Sequence, residues 1–242
     1  MEFSSQTRVH SPKLGCTLVI MAKAPKPGMV KTRLAKSLPV SAVTELYHCL
    51  LDDTVALARS LRNAEVAIMC PATDVGDLAR LAGDAVRVVA QKGEGLAAGL
   101  TSVFTNFAAG HQRVIAFNSD SPHLPASVLE SAFEVLAARD IVVGPTHDGG
   151  YYLVGAKTNY PELFNGDGMG TKTALEALLA RARALRLSVG FTDPFYDIDL
   201  AADLTRLVAD LRLDPERAPR TAAWLVEWRR ALVEHRPSIG AP

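Results

Sequence analysis

Short apolar runs rich in β-branched residues alternate along this chain with longer stretches whose apolar positions recur at every third and fourth residue, and that alternation limits the fold more than any other property. Thr17–Ala22 reads as the first strand. After a loop over 23–34, Ser41 is placed to cap a helix carrying Val43, Leu46, Tyr47, Leu50, Leu51, Val55 and Ala58 on one face. Glu65–Cys70 is the next strand, Pro71–Asp74 a turn, and a short helix runs to about Leu81. Val86–Ala90 follows, then a glycine turn at 91–95 and a helix with Leu96, Leu100, Val103, Phe104 and Phe107 along one side. Arg113–Phe117 is a strand, and Pro125 suits the first turn of a helix lined by Val128, Leu129, Phe133 and Leu136. Strands separated by crossover helices predict an α/β fold: a three-layer, Rossmann-like, mainly parallel sheet with helices on both faces and ligands at the carboxyl ends of its strands.

The pattern then breaks. Asp140–Thr146 and Tyr151–Ala156 are both strand-like, but only His147-Asp-Gly-Gly150 joins them, too few residues for a crossover helix. The second strand must double back or leave the sheet, so the expected sheet is mixed, with a glycine turn near the ligand edge. A helix over about Thr171–Arg183, strand Leu187–Phe191 and helix Leu200–Leu211 complete the core. The segment 218–235, with Trp224, Leu225, Trp228 and Leu232 on one stripe, reads as a helix that packs back on the core or meets a second copy in a homodimer. Residues 1–13 are expected to be a flexible segment and 14–242 a single domain.

At 242 residues such a domain buries roughly 70–75% of the surface of its unfolded chain. Positive and negative side chains balance at 26 each, which argues against a nucleic-acid-binding surface. Cys16, Cys49 and Cys70 show neither disulfide nor zinc spacing, and no apolar run is long enough to span a membrane or serve as a signal peptide. The expectation is a cytoplasmic protein.

Against this neutral background the loop Lys23-Ala-Pro-Lys-Pro-Gly-Met-Val-Lys-Thr-Arg-Leu34 gathers Lys23, Lys26, Lys31 and Arg33. Their mutual repulsion is relieved by an anion, with phosphate the obvious candidate; the prolines and Gly28 stiffen the turn, and the following helix is expected to offer its N-terminal amides. Lys31 and Arg33 are the residues expected to touch phosphate, whereas Lys26, flanked by prolines, is expected to be solvated.

Asp120, in Asn118-Ser-Asp-Ser-Pro122, falls at the carboxyl edge, either as a ligand-binding carboxylate or, with Ser121, as a turn and capping residue. In Asp193-Pro-Phe-Tyr-Asp-Ile-Asp-Leu200, Asp197 and Asp199 alternate with apolar residues, so an extended segment would point both carboxylates one way, with backbones roughly 6.6 Å apart. Such hard oxygen ligands suit Mg2+ or Mn2+; Asp199 also reads as an N-cap for the next helix. Gly93, Gly95 and Gly99 would let a base or ribose approach backbone, though glycines there are more often turn formers. Asp148-Gly-Gly-Tyr151 places a charge and two flexible residues where the parallel pattern fails. His123 and His147 pair with no nucleophile and take no part in the expected chemistry.

Together these segments resemble the GT-A-like nucleotide-diphospho-sugar transferase superfamily. The pattern K-x-P-x-x-G-x-x-K-T-R-L, S-D-S-P-x-L-P and G-P-x-x-D-G-G-Y-x-L is similar to a bacterial glycosyltransferase-labelled family, matched at Lys23, Pro25, Gly28, Lys31–Leu34, Ser119–Pro122, Leu124, Pro125, Gly144, Pro145 and Asp148–Leu153. Gly93-Glu-Gly-Leu96 is similar to the glycine loop of 2-phospholactate or phosphoenolpyruvate guanylyltransferases, with Ala97 where those commonly have Asn. Met169-Gly-Thr171 stands where the first family commonly has Trp-Ser-Thr.

The resemblance implies a GT-A fold, with Lys31, Arg33 and Asp120 as catalytic residues. It implies nucleotide contacts at Ala22, Lys23, Ala24, Pro25, Lys31, Arg33, Gly93, Gly95 and Leu96. Acceptor contacts fall at Thr146, Asp148, Gly149, Gly150 and Thr171, and Mg2+ or Mn2+ is implied on Asp120, Asp197 and Asp199. The expected activity is transfer of a nucleotidyl group from a nucleoside triphosphate to a small phosphorylated acceptor with release of pyrophosphate. Glycosyl transfer from a nucleotide-sugar is the alternative, and a non-catalytic nucleotide sensor a second.

Overall fold

The computed structural model describes residues 15–108, 113–165 and 172–234. Among them, β1 (Cys16–Met21), β2 (Glu65–Cys70), β3 (Arg87–Ala90), β4 (Arg113–Asn118), β5 (Ile141–Pro145), β6 (Tyr151–Ala156) and β7 (Val189–Phe191) form one sheet in the order β3-β2-β1-β4-β6-β5-β7. β1 pairs in parallel with β2 and β4, and β5 in parallel with β7. β6 alone runs against its neighbours, inserted antiparallel between β4 and β5. The short turn at 147–150 thus does double back, and it places a reversed strand inside the sheet.

The period of two divides the strands between two cores. Leu18, Ile20, Ile115 and Phe117 face α1 (Val40–Ser60), α2 (Val75–Ala82) and α4 (Ala126–Ala138). Val19, Val114, Ala116 and Val143 face α3 (Gly95–Phe107) and α5 (Ala174–Ala184). Leu46, Leu50, Leu51 and Ala58 on α1 are fully buried, as their spacing predicts. α7 (Pro219–Glu234) packs on α1, and α6 (Ala201–Leu213) on α7. The buried Asp53 of α1 accepts the backbone amides of Arg220 (3.2 Å) and Thr221 (2.8 Å), tying down the first turn of α7. Trp224 and Trp228 stack at 5.4 Å, and Trp224 packs against the core, so the terminal helix does fold back.

Several expected boundaries shift. α1 begins at Val40 after Pro39, with no side-chain cap. Ser41 therefore lies inside the first turn, because the proline already sets the extended backbone that a cap requires. β7 starts at Val189 rather than Leu187, after Arg186 takes a left-handed φ of 56°. Residues 1–14, Thr171 and His235 lie outside the described residues. Cys16, Cys49 and Cys70 are free, and no described helix is long and apolar enough to cross a membrane.

Candidate functional site

β2 and β3 lie to one side of β1, and β4 to the other, so the loops after β1 and β4 meet where the strand order reverses, the usual ligand crevice of such sheets. The loop after β1 is held by the protein itself at close intervals. Ala22 N–H donates to the Met69 carbonyl (3.1 Å), Lys23 N–H to the Tyr47 hydroxyl (3.2 Å) and Ala24 N–H to Asp74 Oδ2 (2.9 Å). These amides are committed inward, and with Ala22 and Ala24 buried it is the Lys23 side chain of this stretch that stands exposed.

The cations divide. Lys26 Nζ lies 2.6 Å from Asp74 and 3.3 Å from Asp77, and also donates to the Thr73 carbonyl. It is therefore not simply solvated: carboxylates flanking the start of α2 hold it. Lys31 and Arg33 turn the other way. Lys31 Nζ sits 2.9 Å from Asp120 Oδ2 with its side chain only 4% exposed, and Arg33 lies 2.7 Å from Asp199 Oδ2. Much of the repulsion expected within the loop is thus already relieved by the protein's own carboxylates. Lys31 also has a left-handed φ of 48°, a conformation costing a non-glycine residue about 1–2 kcal/mol. No α-helix N-terminus follows the loop, which instead closes in a 3-10 turn at Leu34–Lys36.

The second acidic segment lies against the first. Ile198 N–H donates to the Asp120 carbonyl (3.0 Å), and Ser121 Oγ to the Tyr196 carbonyl (3.0 Å). Burial pushes the Asp197 carboxyl up to about 6; Lys31 opposes the rise, and the charges of Asp120 and Asp148 add to it. Asp197 therefore belongs to a carboxylate-rich interior shared with Asp120, a donor set of hard oxygens that fits a divalent cation. The full set of Asp120, Asp197 and Asp199 is not preassembled: no three metal-ligating side chains converge among the described residues, and Asp199 is turned onto Arg33. Nor does Asp199 cap α6. Asp203 does, accepting the amides of Asp199 (2.9 Å) and Leu200 (2.6 Å).

The turn between β5 and β6 completes the edge. Thr146 bridges to Phe195, next to the acidic segment. Asp148 Oδ1 accepts from the Thr146 hydroxyl and from Gly150 N–H (3.2 Å). The Thr146 bond does most to hold this carboxyl below the usual range; burial opposes it, and Arg33 adds its positive charge. Gly149 has φ 91°, and a Cβ there would collide with the Lys172 carbonyl oxygen, so this residue must be glycine. Its own carbonyl accepts Leu175 N–H (3.1 Å) near the start of α5.

Gly93 and Gly95 take φ values of 81° and 80° in an exposed loop shaped by Gln91, whose Nε2 donates to the Gly93 carbonyl (2.9 Å). Leu96 is exposed beside them, whereas Gly99 is buried against Met21 and Gln91. Lys31, Arg33, Asp120, Asp148, Asp197 and Asp199 thus form one charged cluster, while the glycine loop flanks α3. Sequence reasoning placed Tyr47 only in a helical apolar stripe and Asp74 only in a turn, and both organise the loop after β1. No local pattern marks either, since their partners lie 24 and 50 residues away.

Residues 54–171 match the family DUF2064, described as an uncharacterized protein conserved in bacteria. No curated protein matches the sequence. Among solved structures, a provisionally assigned nucleotide-diphospho-sugar transferase of Desulfovibrio desulfuricans G20 is 26% identical, with a TM-score of 0.82 over 91% of this chain and 97% of that one. Rv0371c of Mycobacterium tuberculosis H37Rv, solved in complex with manganese, is 20% identical, with a TM-score of 0.51 over 81% and 98% of the two chains. The 4-diphosphocytidyl-2C-methyl-D-erythritol synthase of Anaerococcus prevotii DSM 20548 is 10% identical, with a TM-score of 0.55 over 82% and 97%. This chain has the α/β, GT-A-like fold of the nucleotide-diphospho-sugar transferases.

Proposed function

We propose that this protein is a divalent-metal-dependent transferase that acts on a nucleoside triphosphate, moving the nucleotidyl group to a small phosphorylated acceptor. The observation that carries this reading is the pairing of Lys31 and Arg33 with Asp120 and Asp199 across the crevice where the strand order reverses. Cations and carboxylates that pair with each other when unliganded are arranged to exchange partners, the cations to phosphate and the carboxylates to metal. Asp120 and Asp197 would hold Mg2+ or Mn2+, with Asp199 adjacent on Arg33. The metal would supply Lewis-acid stabilisation of charge on phosphate oxygens. The similar D. desulfuricans protein and cytidylyltransferase-type synthase, together with the manganese complex of Rv0371c, support transfer chemistry with a metal on this fold.

In this reading an acceptor oxygen forms a bond to the α-phosphorus, the bond from that phosphorus to the β-bridging oxygen breaks, and pyrophosphate leaves. Lys31 and Arg33 stabilise charge on the leaving group, so no protein nucleophile is required. Gly93, Gly95 and Leu96 flank the nucleoside, and Lys23, the exposed side chain of 22–25, lies on the phosphate path. The Asp148–Gly150 turn, with Thr146, faces the acceptor.

One observation favours glycosyl transfer as a second reading. With Lys26 drawn away by Asp74 and Asp77, the cations left at the site match a diphosphate leaving group as well as a triphosphate. Incubating the protein and Mg2+ with each nucleoside triphosphate and phosphorylated acceptors is expected to release pyrophosphate. Release of nucleoside diphosphate from a nucleotide-sugar instead would establish the second reading. Nucleotide binding without turnover, unchanged in Asp120→Asn, would make the protein a sensor.

A further inference from the structure

Tyr47 lies on the core-facing side of α1 and is 4% exposed, yet its hydroxyl stands among polar groups from both halves of the site. Lys23 N–H donates to it at 3.2 Å, the Lys23 carbonyl lies at 3.3 Å and Ser119 Oγ at 3.1 Å. Ser119 Oγ in turn reaches Asp120 Oδ1 at 3.5 Å, the longest link in the series. Seven residues along the same helix face, Thr54 Oγ1 donates to the Leu50 carbonyl at 2.7 Å and lies 3.3 Å from the Ser119 carbonyl, so α1 lies against this serine at two points.

A phenol has one proton to give and lone pairs to receive others, so Tyr47 can satisfy its neighbours in two ways. In the first, Lys23 N–H donates to Tyr47, Tyr47 donates to Ser119, and Ser119 donates to Asp120; every donor then points from the cationic loop to the carboxylate. In the second, Ser119 donates to Tyr47, Tyr47 donates to the Lys23 carbonyl, and Asp120 loses its serine donor. The charge on Asp120 selects between them. Burial, reinforced by the negative charge of Asp120, keeps the phenol protonated, so the proton that makes the choice is always present. Whatever neutralises Asp120 is therefore felt at the Lys23 peptide, and a phosphate that draws on the loop is felt at Asp120.

We propose that Tyr47 is a positioning residue whose hydroxyl couples the loop after β1 to the metal-binding carboxylate Asp120, so that metal and polyphosphate bind more tightly together than separately. This rests on the proposed function. The readout is binding, measured by titrating ATP, GTP, CTP and UTP separately into the protein in excess Mg2+ and again in EDTA. For the nucleotide held tightest, wild type is expected to prefer the Mg2+ complex by at least about tenfold. Tyr47→Phe keeps the ring and its packing; it is expected to reduce that preference to about twofold, the Mg2+ complex losing more affinity than the metal-free nucleotide, with the ligand-free Tm within about 3 °C of wild type. If Tyr47→Phe does not fold, Ser119→Ala cuts the same line while leaving Tyr47 in place, and the same loss of preference is expected. A lowered Tm with the Mg2+ preference intact would overturn the inference and make Tyr47 a packing residue. Failure of wild type to bind any of the four triphosphates would overturn the proposed function itself.

Discussion

The two ends of the loop after β1 carry the same kinds of residue and do different things. At its start, Lys26 is fastened to Asp74 and Asp77 beside α2, with its side chain 40% exposed. At its end, Lys31 is drawn inward to Asp120 until 4% of its side chain remains exposed, on a left-handed backbone that only a favourable partner sustains. The first pair anchors the loop at the sheet edge, with a partly exposed ammonium on a buried carboxylate. The second holds a charge where little water reaches, and there Coulomb interactions are screened least. Cations spaced five residues apart thus differ in their own burial, 40% against 4% exposed, although Asp74 is less exposed than Asp120.

The sharpest way to break this comparison is Lys31→Met. It removes the inward charge at similar length and is expected to reduce transfer by at least about 100-fold in a product-release assay, with circular dichroism unchanged. Retention of activity would make the two ends equivalent. The next effect lies behind the inward end, where His123 is fully buried between Phe195 and Tyr196 with neither ring nitrogen partnered among the described residues. Burial, aided by Arg206 and Arg217 and opposed by Asp210, pushes its pKa down to about 3. The unfolded chain takes up this proton near pH 6.5, so the folded state keeps its full stability above that pH. It loses about 1.4 kcal/mol per pH unit as pH falls from 6.5 toward 3. Denaturation at stepped pH should show this limb, and His123→Leu should flatten it.

At the anchoring end, Asp74→Asn weakens the hold on Ala24 and Lys26 and is expected to cost about 1–2 kcal/mol in urea denaturation, with less than about a tenfold loss of rate. A rate loss as large as that of Lys31→Met would show that anchoring and chemistry are one function. The smallest effect is expected from Lys26→Ala, a Tm shift of about 2 °C or less and an unchanged rate, because its side chain is 40% exposed and the buried Asp74 keeps the Ala24 amide as a donor.

Much of the fold was legible. β2 and β6 run as their sequences predict, and the break at 147–150 announced the reversed strand because no crossover helix fits there. What the pattern could not say was that β6 would lie between β4 and β5, since pairing order is a long-range choice. Legibility of the site was uneven. Lys31 pairs with Asp120 and Arg33 with Asp199, whereas Lys26, expected to be solvated, is paired because its carboxylate partners lie 48 and 51 residues further on. Asp199 read as a metal ligand or a cap and pairs with Arg33 in the structure, while Asp203 does the capping.

By itself the sequence determined the local matters: which segments are strands and helices, which face of each is apolar, and which loops concentrate charge. These follow from side-chain period and backbone preference, which act over a few residues. Only the tertiary structure decided which charges meet, which amides are committed inward and which lysine is buried. Those depend on contacts between segments as far apart as Arg33 and Asp199, and on the exclusion of water that sets how strongly each charge acts.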